Sequence, residues 1–341
     1  WHQINHVYES RFDSTQYLET CRSHLDHNWQ YGRPLIDDAF NRNEFQEAEQ
    51  WLERTFSSFL ARKRKKQWYP ELFLLTNQLE YFMDEGHEEI ATLLLLWGKV
   101  SLKLGNSLRS VAAQLQGIIF RQPADCETII KEYKRVINPK TRKTLNHLFE
   151  QWKSEMAKCS FDRYMSNPTA SDSWVHWLIE ASLKPKKKKE WFLDKLNGWL
   201  NHLKKDKKVF KKQWHQLARL TSDLPNSKRI VKKYPVFYKT VLPLEESADD
   251  ILGSFRRRGL KKMSAGPCLL GVMDVWKEHL QLIVPDPANA YKSDYTGHAD
   301  WCKALHELNQ KSYTALLSQW RKKHNRRRNL WRDMKAIGLS V

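Results

Sequence analysis

The stretch 43–62 reads NEFQEAEQWLERTFSSFLAR. Phe45, Ala48, Trp51, Leu52, Phe56, Phe59 and Leu60 recur at spacings of three and four, so they line one face of a helix. Asn43 stands where an N-cap belongs, with Gln46 placed for a capping box. The basic run Arg62 to Lys66 suits the negative end of the helix dipole. A one-faced helix must bury its stripe against something, and the following segments repeat the pattern. Pro70 opens a helix with Leu72, Leu75, Leu79 and Phe82 inward, stopping near Gly86. Another runs from His87 to about Leu104, almost wholly apolar from Leu93 to Trp97, and Gly105-Asn106 closes it. Consecutive antiparallel helices with short turns predict an all-α chain, an irregular helical bundle or α-solenoid-like array. No fixed repeat period emerges.

Outward from there, the same periodicity predicts helices over 125–137, 140–158, 172–183, 188–203, 206–220, 268–283, 298–309 and 310–336. The segment Tyr234 to Pro243 is β-branched and bounded by prolines, and reads as extended chain or loop. A Ser/Thr/Asn/Pro run near Asn167-Pro168 marks a boundary between a near-neutral helical scaffold, 1–166, and a basic helical domain, 167–341.

The 341 residues carry 58 Lys and Arg against 39 Asp and Glu, a net charge of +19, with only 12 glycines and 12 prolines. That composition argues against a loop-rich sandwich, a collagen-like chain or global disorder. No run of eighteen apolar residues occurs, so no direct insertion into a membrane is expected. The start, Trp1-His2-Gln3, offers no secretory leader and reads as a trimmed chain. Five scattered cysteines form no C-x-x-C pair, which favours a reducing, cytoplasmic setting over a disulfide framework or a zinc finger. Walker A, dinucleotide-fingerprint, zincin, nucleophile-elbow and EF-hand patterns are all missing, and no metal or cofactor is expected.

The charge is concentrated. Residues 184–240 hold 18 Lys and Arg against four acids, a net of +14, and residues 321–335 hold a net of +7, so the rest of the chain sums to −2. Such patches attract polyanions by steering and counterion release. The candidate contacts are Lys186, Lys187, Lys188, Lys189, Lys204, Lys205, Lys207, Lys208, Lys211 and Lys212, then Arg256, Arg257 and Arg258, then Arg321, Arg326, Arg327 and Arg328. The competing reading is a solvated helical face. Trp191, Phe192, Trp199, Phe210, Trp214, Tyr234, Phe237 and Tyr238 lie among the lysines. They serve either as core or as stacking platforms for bases.

Three constellations carry potential chemistry. His298, Cys302 and His306 fall at i, i+4 and i+8, but three ligands over two turns span about 12 Å, too far for one ion. Arg22 and His27 match the R-x4-H spacing of helical ribonucleases, against the plainer reading of ordinary surface residues. In the last predicted helix Tyr313, Leu317, Trp320, His324, Arg327, Trp331 and Met334 share a stripe, so His324 and Arg327 sit where apolar residues belong. If the polar face of 269–284 meets that helix, Glu278 would pair with His324 or Arg327, as a structural or a catalytic pair.

The C-terminal segment resembles a known family. Trp276-Lys277-Glu278-His279-Leu280, Gly297-His298-Ala299 and the run from Trp320 through His324 and Asn329 to Trp331 are similar to the EH-signature family, over about a fifth of the chain. That family includes the cytoplasmic component of Zorya anti-phage systems. The resemblance implies Glu278 as the signature Glu and His324 as the signature His, with His298 as a rival. It further implies an all-helical, basic, DNA-associated defence protein working beside a helicase-like nuclease and a membrane motor, with DNA preferred over RNA. A weaker resemblance is to helical regions of bacterial SWIM zinc-finger proteins. This chain holds no C-x-C…C-x-H set, so the finger would lie upstream of Trp1.

Three functions are therefore in play. The first is a non-motor, DNA-binding subunit of an anti-phage system, held mainly by phosphate contacts. The second is a protein-interaction scaffold with an acidic partner, and the third is a nuclease using a Glu/His pair.

Overall fold

The computed structural model describes residues 14–62, 87–121, 125–159, 173–242, 252–291 and 294–341. These form seventeen α-helices and no strand, an all-α bundle architecture as the periodicity predicts. The chain divides into two compact units, Trp1–Glu155 and Met156–Val341.

The first unit contains α1 (Ser14–His24), α2 (Gly32–Asn41), α3 (Phe45–Arg62), α4 (His87–Lys103), α5 (Ser107–Arg121), α6 (Cys126–Val136) and most of α7 (Arg142–Cys159). From α2 to α6 each helix packs on its neighbour in sequence. Ala48, Leu52 and Phe56 of α3 are fully buried, and Phe56 stacks on Trp97 of α4 with ring centres 4.9 Å apart. Arg109 of α5 ties back to Glu49 and Glu53 of α3, at 2.6 and 3.4 Å. The helix predicted from Pro70 lies outside the described residues.

One junction departs from its expected role. Asn43 adopts φ of +63°, and the N–H groups of Asn43 and Glu44 donate to the carbonyls of Phe40 and Ala39. That is the left-handed closure of a helix C-terminus, so Asn43 ends α2 rather than capping α3. The N-cap expectation failed because the same short amide side chain suits either role. Gly105, with φ of +77°, closes α4 as expected.

Close approach in this unit requires one glycine above all. A Cβ on Gly32 would fall 1.9 Å from Oγ1 of Thr55, a buried side chain pinned by its own bond to the Trp51 carbonyl at 2.6 Å. Gly32→Ala is expected to push α2 off α3 and cost about 1–3 kcal/mol, read as a lowered denaturant midpoint with unchanged slope.

The second unit holds α8 (Trp174–Leu183), α9 (Pro185–Lys205), α10 (Lys207–Asp223), α11 (Lys228–Lys233), α12 (Pro235–Val241), α13 (Gly253–Lys262), α14 (Cys268–His279), α15 (Thr296–Leu308), α16 (Gln310–His324) and α17 (Arg328–Ala336). Short 3-10 turns occupy Leu280–Leu282 and Pro287–Asn289. Its core centres on Trp276 of α14. Phe210 and Phe237 present their edges to that ring at 5.9 and 5.4 Å, and its indole N–H donates to the Thr221 hydroxyl at 2.9 Å.

Two expectations fail here for tertiary reasons. Residues 235–241 are helical, not extended. Pro235 is compatible with a first helical position, and the Glu307 carboxylate of α15 accepts the N–H groups of Phe237 and Val236 at 2.8 and 3.4 Å. The predicted helix 310–336 is two helices broken at Asn325–Arg327, so its seven-residue stripe is not continuous. Tyr313, Leu317, Trp320 and His324 are buried on α16, whereas Leu330 and Met334 are the buried residues of α17.

Candidate nucleic-acid interface

The strongest basic feature is the corner where α9 meets α10. Asp206 caps α10 by accepting the N–H groups of Lys208 and Val209 at 2.7 and 3.2 Å, and these bonds hold its carboxyl below the usual range. His279 of α14 donates from Nε2 to the Lys204 carbonyl at 2.8 Å, fixing the end of α9. Leu203 and Phe210 are buried beneath the corner. Lys204, Lys205, Lys207, Lys208, Lys211 and Lys212 are all exposed, and none forms a salt bridge among the described residues.

The placement of that charge runs against local preference. The first turns of α9, α10 and α17 contain no acidic residue. Lys186 and Lys187, then Lys207 and Lys208, then Arg328 crowd the positive ends of three helices. Each such cation costs a few tenths to about 1 kcal/mol against the dipole. At the start of α9, Lys186 and Lys187 are exposed and Lys189 is half-buried. Lys188 pairs with Glu180 and lies 5.1 Å over the Trp191 ring.

The arginine triple divides. Arg256 is fully buried, and its Nε donates to Oδ2 of Asp223 at 2.6 Å, so it is a core ion pair and unavailable to a ligand. Arg257 is half-buried, with Nη1 3.9 Å from Oδ1 of the same carboxylate. Arg258 is exposed. Near the C-terminus Arg321, Arg326 and Arg328 are exposed, whereas Arg327 donates from Nη1 to the Tyr295 hydroxyl at 2.7 Å.

Half of the aromatics interleaved with the lysines are core. Phe192, Trp199, Phe210 and Phe237 are buried, and Trp214 turns an edge to Trp301 at 6.0 Å. Trp191, Trp214, Tyr234 and Tyr238 keep partial exposure.

The conditional pairing of Glu278 with His324 or Arg327 does not occur. Glu278 is exposed and makes no ion pair among the described residues. The acid facing His324 is Asp286, in the loop before the second 3-10 turn. His324 Nε2 lies 3.2 Å from Asp286 Oδ1, close enough for charge attraction but out of line for a hydrogen bond. The Lys323 ammonium donates to Oδ2 of Asp286 at 2.7 Å, and the Ala288 N–H donates to Oδ1 at 2.8 Å. His298 meets the same residue through its backbone, with Nε2 3.3 Å from the Asp286 carbonyl. The two histidines that compete in sequence therefore converge on one loop residue. Its sequence signal was only a cap position before Pro287.

A neighbouring cation sets the direction of titration at Asp286, and burial sets it at His324. Lys323 holds the Asp286 carboxyl below its ordinary value. Burial pushes His324 down from 6.5, outweighing the pull of Asp286, with Arg327 and Lys323 adding to the depression. A base whose folded pKa is depressed binds more protons when unfolded, so stability falls as pH drops below about 6.5. The Asp286 contribution is lost at lower pH and has the same sign. Thermal melting at about pH 7.5 and about pH 5 should show an acid-induced loss that His324→Gln reduces. Equal pH slopes in the two proteins would remove His324 from the explanation.

The remaining constellations do not assemble. Cys302 is buried, and burial pushes its thiol up to about 12. His306 is exposed and edge-on to Tyr313 at 5.0 Å, away from the Asp286 loop that His298 meets. No cluster of three His, Cys, Asp or Glu side chains suited to a metal ion occurs among the described residues. Arg22 is half-buried near the end of α1, and His27 is exposed beyond it. No described helix is long and apolar enough to cross a membrane. No family model, curated protein or solved structure matches this chain.

Proposed function

We propose that this protein binds nucleic acid by phosphate contacts centred on the α9–α10 corner. The observation that carries the reading is the set of six exposed lysines without salt bridges, some of them held at the unfavourable end of α10. A surface selected only for solubility gains nothing from cations at that position, whereas a polyanion gains from every one. Lys186, Lys187, Arg258, Arg326 and Arg328 supply further exposed charge in the same unit.

The resemblance around Glu278, His298 and His324 extends the proposal to DNA. It suggests a cytoplasmic, non-motor subunit of an anti-phage defence system acting beside a helicase-like nuclease and a membrane motor. Glu278 makes no ion pair among the described residues and His324 faces Asp286 instead, which favours binding over hydrolysis by that pair. Duplex affinity measured at about 50 and about 300 mM salt tests the reading. Binding should be tight at the lower salt, largely indifferent to sequence, and steeply weakened at the higher. Absence of binding at the lower salt, or binding with a flat salt dependence, would refute it.

A further inference from the structure

A cleft of about 270 Å³ opens where α16 gives way to α17, lined by Arg321, Asn325, Trp331, Lys335 and Val341. Arg321 and Asn325 stand one turn apart at the end of α16, and Trp331 and Lys335 stand one turn apart on α17. The break at Asn325–Arg327 is what brings the two pairs to one opening. Arg321 and Lys335 are exposed and form no salt bridge among the described residues.

The orientation of Trp331 is set. Its indole N–H is shared between the carbonyls of His324 and Asn325, at 3.2 and 3.3 Å. With the N–H committed to the end of α16, the ring has only its π-face to offer a ligand. A planar partner satisfies that face. A planar cation is disfavoured by the charges of Arg321 and Lys335, so the complementary ligand is planar and anionic. A nucleotide has both properties: a base to stack and a phosphate to share between two cations. The volume lies just below the usual range for small-molecule sites and suits one such unit. Paired bases inside a duplex cannot present a face to an indole, which directs the site to unpaired bases, as in a single strand.

We propose that this cleft is a single-strand subsite, in which one base stacks on Trp331 and its phosphate lies between Arg321 and Lys335, with the Asn325 amide facing the base or sugar. The proposal rests on the nucleic-acid reading above and adds to it a second site of different selectivity, distinct from the α9–α10 corner.

The test compares a labelled oligothymidylate, a labelled duplex and a polyglutamate peptide as probes of the full chain. Trp331→Ala should weaken oligothymidylate binding by roughly five- to a hundredfold while changing duplex affinity less than about twofold. Trp331→Phe should restore most of the loss, because a phenyl ring still stacks. Arg321→Glu with Lys335→Glu alters only exposed side chains, so it keeps the test valid if Trp331→Ala perturbs α17. That pair should weaken the oligothymidylate as well. An unchanged oligothymidylate affinity in both variants overturns the proposal, as does an equal loss for both nucleic acids. Trp331-dependent binding of polyglutamate in preference to the strand also overturns it, in favour of an acidic peptide. If the wild type binds neither nucleic acid at low salt, the functional reading itself has failed. Duplex binding with a steep salt slope and a silent Trp331 would remove the subsite alone.

Discussion

Arg256→Ala should destabilise the second unit by about 3–5 kcal/mol. The Arg256 guanidinium and the Asp223 carboxylate are 0% and 4% exposed, and their 2.6 Å contact joins the end of α10 to α13. Removing the cation deprives a buried carboxylate of its 2.6 Å partner, with Arg257 Nη1 3.9 Å from the other oxygen. For a unit of this size the loss corresponds to a fall in melting temperature of about 6–20 °C. The double change Arg256→Met with Asp223→Leu should recover most of it, since replacing a buried pair by apolar residues of similar volume is often neutral. A drop under about 2 °C in the single variant would show that the pair is dispensable. At temperatures where the single variant remains folded, its duplex affinity should match the wild type. That second measurement separates Arg256 from the exposed arginines beside it.

Reversing charge at the corner should have the largest effect on binding. Lys204, Lys205, Lys207 and Lys208 all changed to Glu would remove up to four phosphate contacts. At about 0.9 per contact, the slope of log affinity against log salt should shrink by as much as about 3.6. Low-salt affinity should fall about a hundredfold or more, equally for all duplex sequences, because phosphates carry no sequence information. The fold is not at risk from the two changes on α10, since acidic residues at a helix N-terminus favour the dipole. The two changes on α9 put acids at its negative end and offset that gain, so helical content measured by circular dichroism should hold. An unchanged salt slope in a folded variant would place the phosphate contacts elsewhere.

Much of the architecture was legible in the residues because helical burial is periodic. Ala48, Leu52 and Phe56 of the predicted α3 stripe are fully buried, and Gly105 closes α4. α13 was not legible, because its buried face is Phe255, Arg256, Gly259 and Leu260, and an arginine in a basic triple reads as surface. α12 was hidden for a different reason: its first N–H groups are satisfied by Glu307, some seventy residues away. The candidate site shows the same limit. The lysine corner could be read directly, since all six of its lysines stay on the solvated faces of α9 and α10. Asp286 could not, since nothing local marks a loop aspartate as the partner of Lys323 and the neighbour of His324 and His298.

The sequence by itself determined that this chain is helical and that its excess charge lies in two segments, because periodicity and composition are properties of neighbours along the chain. The tertiary structure decided which cations remain available. It buried Arg256 against Asp223, tied Arg327 to Tyr295, and left the six lysines of the α9–α10 corner exposed and without a salt bridge among the described residues. It also broke the last helix at Asn325–Arg327, opening the cleft beside Trp331. The physical reason is that the cost of an unpaired buried charge is settled by whichever group the fold brings within a few ångströms, and that distance is not encoded in spacing along the chain.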